Sequence, residues 1–138
     1  MNKIFLILIS ICCFSCNNKN QAESKIGDDL VFQDLFNTSM DERVKCYRIP
    51  SIVTAPNGSL IAAIDERVPD CSDLKYNKDI NIILRRSFDN GKTWSKIETV
   101  VDFPYGKSAS DPSMIVDDVT GEIFLFYNYM DLDVEKDI

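Results

Sequence analysis

The first feature of the sequence that could do chemistry is an arginine at the head of an apolar run. Arg48 stands in the stretch CYRIPS, and the chain continues from Ile49 as IPSIVTAPNGSLIAAID. An apolar run of this length is typical of a buried strand. A guanidinium at the start of such a strand must reach solvent or hold an anion, because an unpaired charge is costly to bury. The run around Arg48 leaves both interpretations open.

Composition narrows the chemistry that the rest of the chain can supply. The 138 residues are 45% hydrophobic and 27% charged, which is the balance of a globular domain and not of a disordered tail. The formal net charge of −7 argues against a nucleic acid as partner. The chain has no histidine, which excludes Ser-His and Cys-His nucleophile pairs within it and disfavours a zinc site. We expect no cofactor and assign no metal-binding residue, and metal dependence stays open.

The N-terminus has the pattern of a secretion signal. MNK is a short basic start, IFLILISI is an apolar segment too short to span a bilayer, and CFSC follows. Small Ser15 precedes Cys16, and polar CNNKNQAES begins there, as at a bacterial lipoprotein cleavage site. We expect a signal peptide at 1–15, lipidation of Cys16 as a membrane anchor, a linker at 16–30, and secretion across the inner membrane to the periplasm or cell surface. Simple secretion and an uncleaved membrane anchor are the alternatives.

From about residue 31 the chain predicts short strands joined by tight turns. Asn57-Gly58 lies between the apolar runs SIVTA and SLIAAID, which is a strong hairpin signal. A second hairpin runs from INIILRRS to TWSKIETVV, and a third from PSMIVDD to EIFLFYNYM. No stretch has the length and period of an amphipathic helix. The sequence predicts an all-β protein, and the pattern alone does not choose among a sandwich, a barrel and a propeller.

The turn of the second hairpin carries a complete motif. Residues 87–94, SFDNGKTW, have the form S-x-D-x-G-x-T-W, which is an Asp-box. Asp89 can accept backbone hydrogen bonds within the loop, Gly91 can take a positive φ, and Trp94 offers the returning strand a large apolar anchor. This chemistry is that of a turn, so we predict a structural role for the motif.

The order of these motifs resembles a known family. YRIPS, GSLIAAIDER, SD, RRS and the Asp-box follow one another as in the N-terminal region of bacterial exo-α-sialidases. The resemblance spans roughly residues 31 to 130. It implies that residues 31–138 are the start of a six-bladed β-propeller, with about one and a half blades present. It also implies a sialylated glycan or glycoconjugate as substrate, with terminal sialic acid hydrolysed with retention of configuration.

The resemblance assigns roles to four residues. Arg48 matches the arginine of the R-I-P motif, one of three that bind the substrate carboxylate, and a guanidinium suits this task because it can donate two parallel hydrogen bonds. In DERVPDCSD, Arg67 takes the position of a sugar-contacting arginine and Asp73 that of the acid/base aspartate. Asp111 takes the position of an aspartate near the 4-hydroxyl of the sugar. Asp70 is the rival of Asp73 for the acid role.

Structural alternatives accompany these roles. Arg48 could be a surface arginine at a strand end, and Asp111 could be a turn aspartate before a proline. Three further charged residues are predicted to be structural: Asp65 at the end of a strand, and Arg85 and Arg86 on the strand that leads into the Asp-box.

The resemblance also indicates what the chain lacks. Sialidases use a tyrosine nucleophile with a glutamate partner, and these lie with two further arginines in later blades of the family fold. No tyrosine of this chain stands in the nucleophile context. We interpret the chain as an incomplete N-terminal portion of an exo-α-sialidase, inactive and aggregation-prone by itself. The alternatives are a non-catalytic Asp-box propeller that binds glycans, and a truncated fragment without function.

Two cysteines remain after the predicted lipidation site. Cys46 and Cys71 each lie two residues before a predicted site residue, Arg48 and Asp73. One hypothesis is a disulfide that ties the acid-bearing loop to the first strand in an oxidising compartment. The alternative is two unpaired thiols packed as small apolar groups. The sequence gives no Cα separation, so both stay open.

Overall fold

A computed structural model of the chain describes residues 32–134. The predicted signal peptide, the lipidation of Cys16 and the linker at 16–30 lie outside the described residues. No helix within residues 32–134 is long and apolar enough to cross a membrane.

The described chain consists of strands, with one short 3-10 turn before them, and the predicted all-β fold is confirmed. The elements in order are the 3-10 turn Thr38–Met40, β1 Cys46–Thr54, β2 Leu60–Arg67, β3 Ile80–Ser87, β4 Glu98–Val101, β5 Lys107–Val116 and β6 Ile123–Asp131. Strands β1 to β4 form a four-stranded antiparallel sheet in that order, and β5 and β6 form a two-stranded sheet. All three predicted hairpins are therefore present.

The two central strands of the larger sheet are buried along nearly their whole length. The sequences LIAAIDER of β2 and INIILRRS of β3 are almost continuous apolar runs up to their polar ends. Continuous runs are expected for strands that are covered on both faces. The core includes Ile61, Ala63, Ile82 and Leu84 of the larger sheet and Ala109 of β5. The two sheets thus pack against each other through one core.

The Asp-box forms the loop between β3 and β4. Asp89 accepts hydrogen bonds from the Thr93 amide at 2.8 Å and the Thr93 hydroxyl at 2.6 Å, and these bonds lower the pKa of Asp89 to about 2. Gly91 has a φ of 83°, and its carbonyl accepts a hydrogen bond from Trp94 Nε1 at 3.1 Å. The predicted chemistry of this turn is present, but Trp94 lies in the loop and not on the returning strand, because these bonds hold it there and β4 begins only at Glu98.

A β-bulge interrupts the pairing of β1 with β2 at the R-I-P motif. The register shifts between Arg48 and Ser51, and Ile49 has a φ of 56°. Pro50 has no N–H to donate to the sheet, which explains why regular pairing stops there. Bulges bend a strand and redirect its side chains. The bulge therefore sets the direction of Arg48.

A second bulge occupies the corresponding place in the third hairpin. The register of β5 with β6 shifts between Ser110 and Ser113, and Asp111 has a φ of 61° just before Pro112. The amide of Met114 on β5 donates to the hydroxyl of Ser51 on β1 at 3.2 Å, which joins the two bulged strands. The two bulges thus lie on neighbouring strands of the two sheets.

Candidate active site

The guanidinium of Arg48 lies at the surface and holds an anion. Its side chain is 43% exposed, and Nη1 donates to Oδ1 of Asp73 at 2.6 Å. The two alternatives left open by the sequence are therefore both realised, because Arg48 reaches solvent and pairs with a carboxylate. The partner belongs to the loop that the sequence assigned to the acid.

Asp73 lies in the loop after β2 with 71% of its side chain exposed. Its Oδ1 accepts a second hydrogen bond, from Arg67 Nη1 at 2.9 Å. The hydrogen bond from Arg67, and next the charge of Arg48, hold the pKa of Asp73 below its ordinary value of 3.8. Asp73 is therefore a carboxylate placed between two cations in this site.

Arg67 fixes the acid-bearing loop to the end of β2. Its side chain is 1% exposed. Besides Asp73, Nη1 reaches the carbonyl oxygens of Ser72 at 2.7 Å and Cys71 at 3.3 Å, and Nη2 donates to Oδ2 of Asp65 at 2.9 Å. The structure places Arg67 next to Asp73, in a buried position under the loop. Its contact with a sugar stays a prediction.

Asp70, the rival for the acid role, stabilises the loop itself. Its Oδ1 accepts a hydrogen bond from the amide of Ser72 at 2.7 Å, and its carbonyl accepts one from Asn77 Nδ2 at 2.8 Å. The bonds from Ser72 lower the pKa of Asp70. Within residues 32–134 its carboxylate has no ion pair with an arginine.

Cys46 and Cys71 form a disulfide, which resolves the alternatives that the sequence left open. Their Cα atoms are 5.7 Å apart, within the usual range for a disulfide. The bridge joins the start of β1 to the acid-bearing loop, two residues before Arg48 on one side and two before Asp73 on the other. The loop is therefore attached to β1 by a covalent bond and by the Arg48–Asp73 ion pair.

Asp111 presents its carboxylate at the surface, next to the buried Asp65. Oδ2 accepts a hydrogen bond from Asn128 Nδ2 of β6 at 2.8 Å, and Oδ1 accepts one from Ser110 Oγ at 3.2 Å. Its amide donates to Oδ1 of Asp65 at 2.9 Å. Asp111 sits on a bulge and not in a simple turn before a proline. It and Arg67 are hydrogen-bonded to the same side chain, that of Asp65.

Asp65 links Arg67 of β2 to Asp111 of β5. Its side chain is fully buried, and it accepts hydrogen bonds from Arg67, from Ser110 and from the amide of Asp111. Burial raises the pKa of Asp65, and the hydrogen bonds oppose that shift. The sequence predicted a structural role for Asp65. It missed the link to Asp111, although alternation along β2 places Asp65 and Arg67 on one face.

Arg85 and Arg86 make structural contacts, in line with the role predicted for them. Arg85 donates to the backbone carbonyls of Ser95 at 2.6 Å and Leu35 at 2.7 Å. Arg86 pairs with Glu98 of the next strand at 2.7 Å. Both lie toward the Asp-box end of β3, away from Arg48 and Asp73.

Comparisons with known proteins relate the chain to sialidases. No family model matches the chain. A sialidase of Bacteroides fragilis is 34% identical over 92 residues, covering 62% of this chain and 16% of that protein. A sialidase of Micromonospora viridifaciens is 39% identical over 87 residues, covering 60% of this chain and 13% of that protein. Over the matched residues, this chain is similar to sialidases.

Solved structures extend the likeness to the fold of the chain. A leech intramolecular trans-sialidase with bound 2,7-anhydro-Neu5Ac matches with a TM-score of 0.64 and 28% identity, covering 75% of this chain and 18% of that protein. The intramolecular trans-sialidase of Ruminococcus gnavus with oseltamivir carboxylate matches with a TM-score of 0.62 and 27% identity. The match covers 70% of this chain and 24% of that protein. The all-β arrangement of the described residues resembles part of these sialidase β-propellers. The chain spans about one-sixth or less of the curated relatives that it matches.

Proposed function

We propose that the protein containing this chain is an exo-α-sialidase that hydrolyses terminal sialic acid from glycoconjugates with retention of configuration. The observation that carries the proposal is the Arg48–Asp73 pair, in which a half-exposed guanidinium already holds a carboxylate at 2.6 Å. A sialidase must bind a sugar carboxylate and protonate a neighbouring oxygen. The pair supplies one group for each task.

Binding begins with the exchange of one carboxylate for another at Arg48. The carboxylate of sialic acid has the same charge and shape as the side chain of Asp73, so it can take the exposed N–H groups of Arg48. Asp73 is 71% exposed and lies on a loop, which allows it to give up that partner while keeping Arg67. Arg48 thus orients the sugar and frees the acid.

The same exchange prepares Asp73 to act as an acid. A carboxylate that loses one cation and gains an anionic neighbour has a higher pKa, because its charged form is less stabilised. Asp73 then takes up a proton, donates it to the glycosidic oxygen, and later accepts a proton from the attacking water. Asp111, whose carboxylate is exposed, accepts a hydrogen bond from the 4-hydroxyl of the sugar.

The remainder of the reaction belongs to other parts of the protein. We place there the tyrosine nucleophile, its glutamate partner, two further arginines and the other blades of a six-bladed propeller. Because these groups are needed for the chemistry, residues 31–138 alone are expected to be inactive. A lipid on Cys16 would hold the enzyme at the periplasmic or cell surface.

The test uses the natural protein, expressed to its own stop codon, and measures sialic acid released from 3′-sialyllactose. Arg48→Lys keeps the charge but loses the paired N–H donors, so kcat/KM should fall on the order of a hundredfold. Arg86→Lys is the matched control, because Arg86 is about as exposed and pairs with Glu98 far from the site. Equal activity of the two variants would contradict the role of Arg48.

Binding of a sialoside without cleavage would favour the alternative function, a non-catalytic propeller that binds glycans. If the wild-type protein binds sialyllactose and releases no sialic acid, the protein is a glycan-binding propeller and not an enzyme. If it neither binds nor cleaves sialosides, both functions fail.

A further inference from the structure

Asp65 is a fully buried carboxylate that receives hydrogen bonds from two strands. Oδ2 accepts from Arg67 Nη2 at 2.9 Å and from Ser110 Oγ at 2.7 Å, and Oδ1 accepts from the amide of Asp111 at 2.9 Å. Arg67 belongs to β2, like Asp65, whereas Ser110 and Asp111 belong to β5 of the other sheet. One side chain therefore connects the sheets directly beneath the candidate site.

On one side, Asp65 sets the position of the candidate acid. A guanidinium is planar and rigid, so fixing Nη2 on Asp65 also fixes the direction of Nη1. Nη1 of Arg67 is the atom that donates to Oδ1 of Asp73 at 2.9 Å. Arg67 is nearly fully buried and cannot adopt other positions easily. The orientation of Asp73 thus depends on Asp65 through one intermediate side chain.

On the other side, Asp65 holds the bulge that carries Asp111. The φ of 61° at Asp111 is a left-handed conformation, which residues other than glycine rarely adopt because it is strained. The hydrogen bond from the Asp111 amide to Asp65 stabilises this backbone, and Asn128 Nδ2 then fixes the side chain. The direction of the Asp111 carboxylate therefore also depends on Asp65.

We propose that Asp65 is a positioning residue that holds the candidate acid Asp73 and the candidate sugar contact Asp111 in one mutual geometry. The proposal rests on the proposed sialidase function. Asp65 does not touch the substrate, because it is fully buried. It acts through Arg67 on one side and through the backbone of Asp111 on the other.

A carboxylate suits this position better than an amide. An ionised aspartate only accepts hydrogen bonds, and all three of its neighbours are donors. Asparagine would turn an N–H₂ group toward at least one of them and would leave buried Arg67 with one anion fewer. Asp65→Asn is therefore the decisive variant, since it keeps the size of the side chain and removes its acceptor character.

The experiment compares two substrates in the natural protein at a temperature where each variant is folded. 3′-Sialyllactose needs a well-placed acid to protonate its leaving group, whereas an aryl sialoside needs it less. We expect Asp65→Asn to lower kcat/KM for sialyllactose about tenfold more than for the aryl sialoside. Asp89→Asn is the matched control, because Asp89 also accepts amide and hydroxyl donors but lies in the Asp-box. Equal losses on both substrates for Asp65→Asn would overturn the proposal.

A milder variant keeps the test decisive if Asp65→Asn does not fold. Ser110→Ala removes one hydrogen bond to Asp65 and leaves the charge pair with Arg67 intact. It should lower the sialyllactose-to-aryl ratio of kcat/KM by about threefold, in line with the loss of one hydrogen bond. An unchanged ratio in a folded Ser110→Ala protein would overturn the proposal.

A titration separates this proposal from the sialidase function. Carbon-13 NMR follows the carboxyl group of Asp73, which faces Arg48 of β1 and Arg67 of β2. In Asp65→Asn the pKa of Asp73 should rise toward its ordinary value, whereas in Asp89→Asn it should stay low, because the hydrogen bond from Arg67 that lowers this pKa depends on Asp65. A wild-type protein that cleaves no sialoside refutes the function, whereas identical Asp73 titrations in the two variants refute the coupling.

Discussion

At the scale of single residues, the protonation of Asp73 decides how the site can work. Arg67 and Arg48 lower its pKa, so its ion pairs stabilise the fold above the ordinary value of 3.8 and are lost as pH falls through the lowered value. Asp73 is highly exposed, so solvent screens these pairs and their contribution to stability is small. A general acid needs the opposite state, with a proton on Asp73. In the proposed mechanism, substrate binding raises the pKa of Asp73 and so allows it to take up this proton.

Ligand binding at Arg48 is predicted to raise the pKa of Asp73. Binding of a sialic acid analogue that carries a carboxylate should be accompanied by proton uptake at a pH just above 3.8, because the analogue replaces Asp73 at Arg48 and raises the pKa of Asp73. Calorimetry in two buffers of different ionisation enthalpy measures the uptake in the natural protein. Asp73→Asn should abolish it, while Asp70→Asn should not. Identical heats in both buffers for the wild type would show that binding and protonation are not coupled.

At the scale of structural elements, two bulges and one disulfide place the candidate residues. The bulge at Ile49 directs Arg48, and the bulge at Asp111 directs the second carboxylate. The Cys46–Cys71 bridge holds the loop that carries Asp73. The side chain of Asp73 is 71% exposed. Without the disulfide, its position would depend mainly on its ion pairs.

The second prediction concerns the disulfide. The bridge closes a loop with a sequence separation of 25 residues. Replacing both cysteines by serine should lower the free energy of unfolding by about 3 kcal/mol, because the unfolded chain is no longer constrained. It should also reduce kcat for sialyllactose, since the acid is less well placed. Dithiothreitol should have the same two effects on the wild type and none on the double variant; a wild type indifferent to the reductant would contradict the expectation.

The sequence predicted the elements better than the local distortions that place the site. Asn57-Gly58 and the Asp-box identified their turns because they carry residues that only such turns require. The bulges escaped because isoleucine and aspartate rarely adopt a positive φ, and only the following prolines signal that pairing stops. Burial of Arg67 escaped as well, because its partner Asp65 and the loop carbonyls meet it only in the folded chain.

The link between Asp65 and Asp111 could not be read from the chain for a related reason. The two residues are 46 positions apart and lie in different sheets, and no local pattern connects them. The positions of Arg48, Asp73 and Asp111 came from the resemblance to sialidases, and not from periodicity or spacing. The hydrogen bonds that connect Arg67 to Asp111 through Asp65 became visible only in the folded chain.

At the scale of the whole molecule, the described residues form a complete four-stranded sheet and a two-stranded one. Ile115, Phe124 and Phe126 of the smaller sheet are exposed. Apolar side chains of this size are usually covered by a neighbouring element. The proposed propeller provides that neighbour, because the next strands of a blade would pair with and pack against β5 and β6. We therefore expect the proposed catalysis to require the whole natural protein.

The measurement that tests the account most directly is the leaving-group dependence of Asp73→Ala in the natural protein. Loss of the general acid should lower kcat/KM for 3′-sialyllactose by about 10² to 10⁴, and should lower it far less for an aryl sialoside, whose leaving group needs little protonation. Asp70→Ala, in the same loop, should change both substrates in proportion. Equal losses on both substrates for Asp73→Ala, or the selective loss in Asp70→Ala instead, would contradict the assignment of Asp73 as the acid.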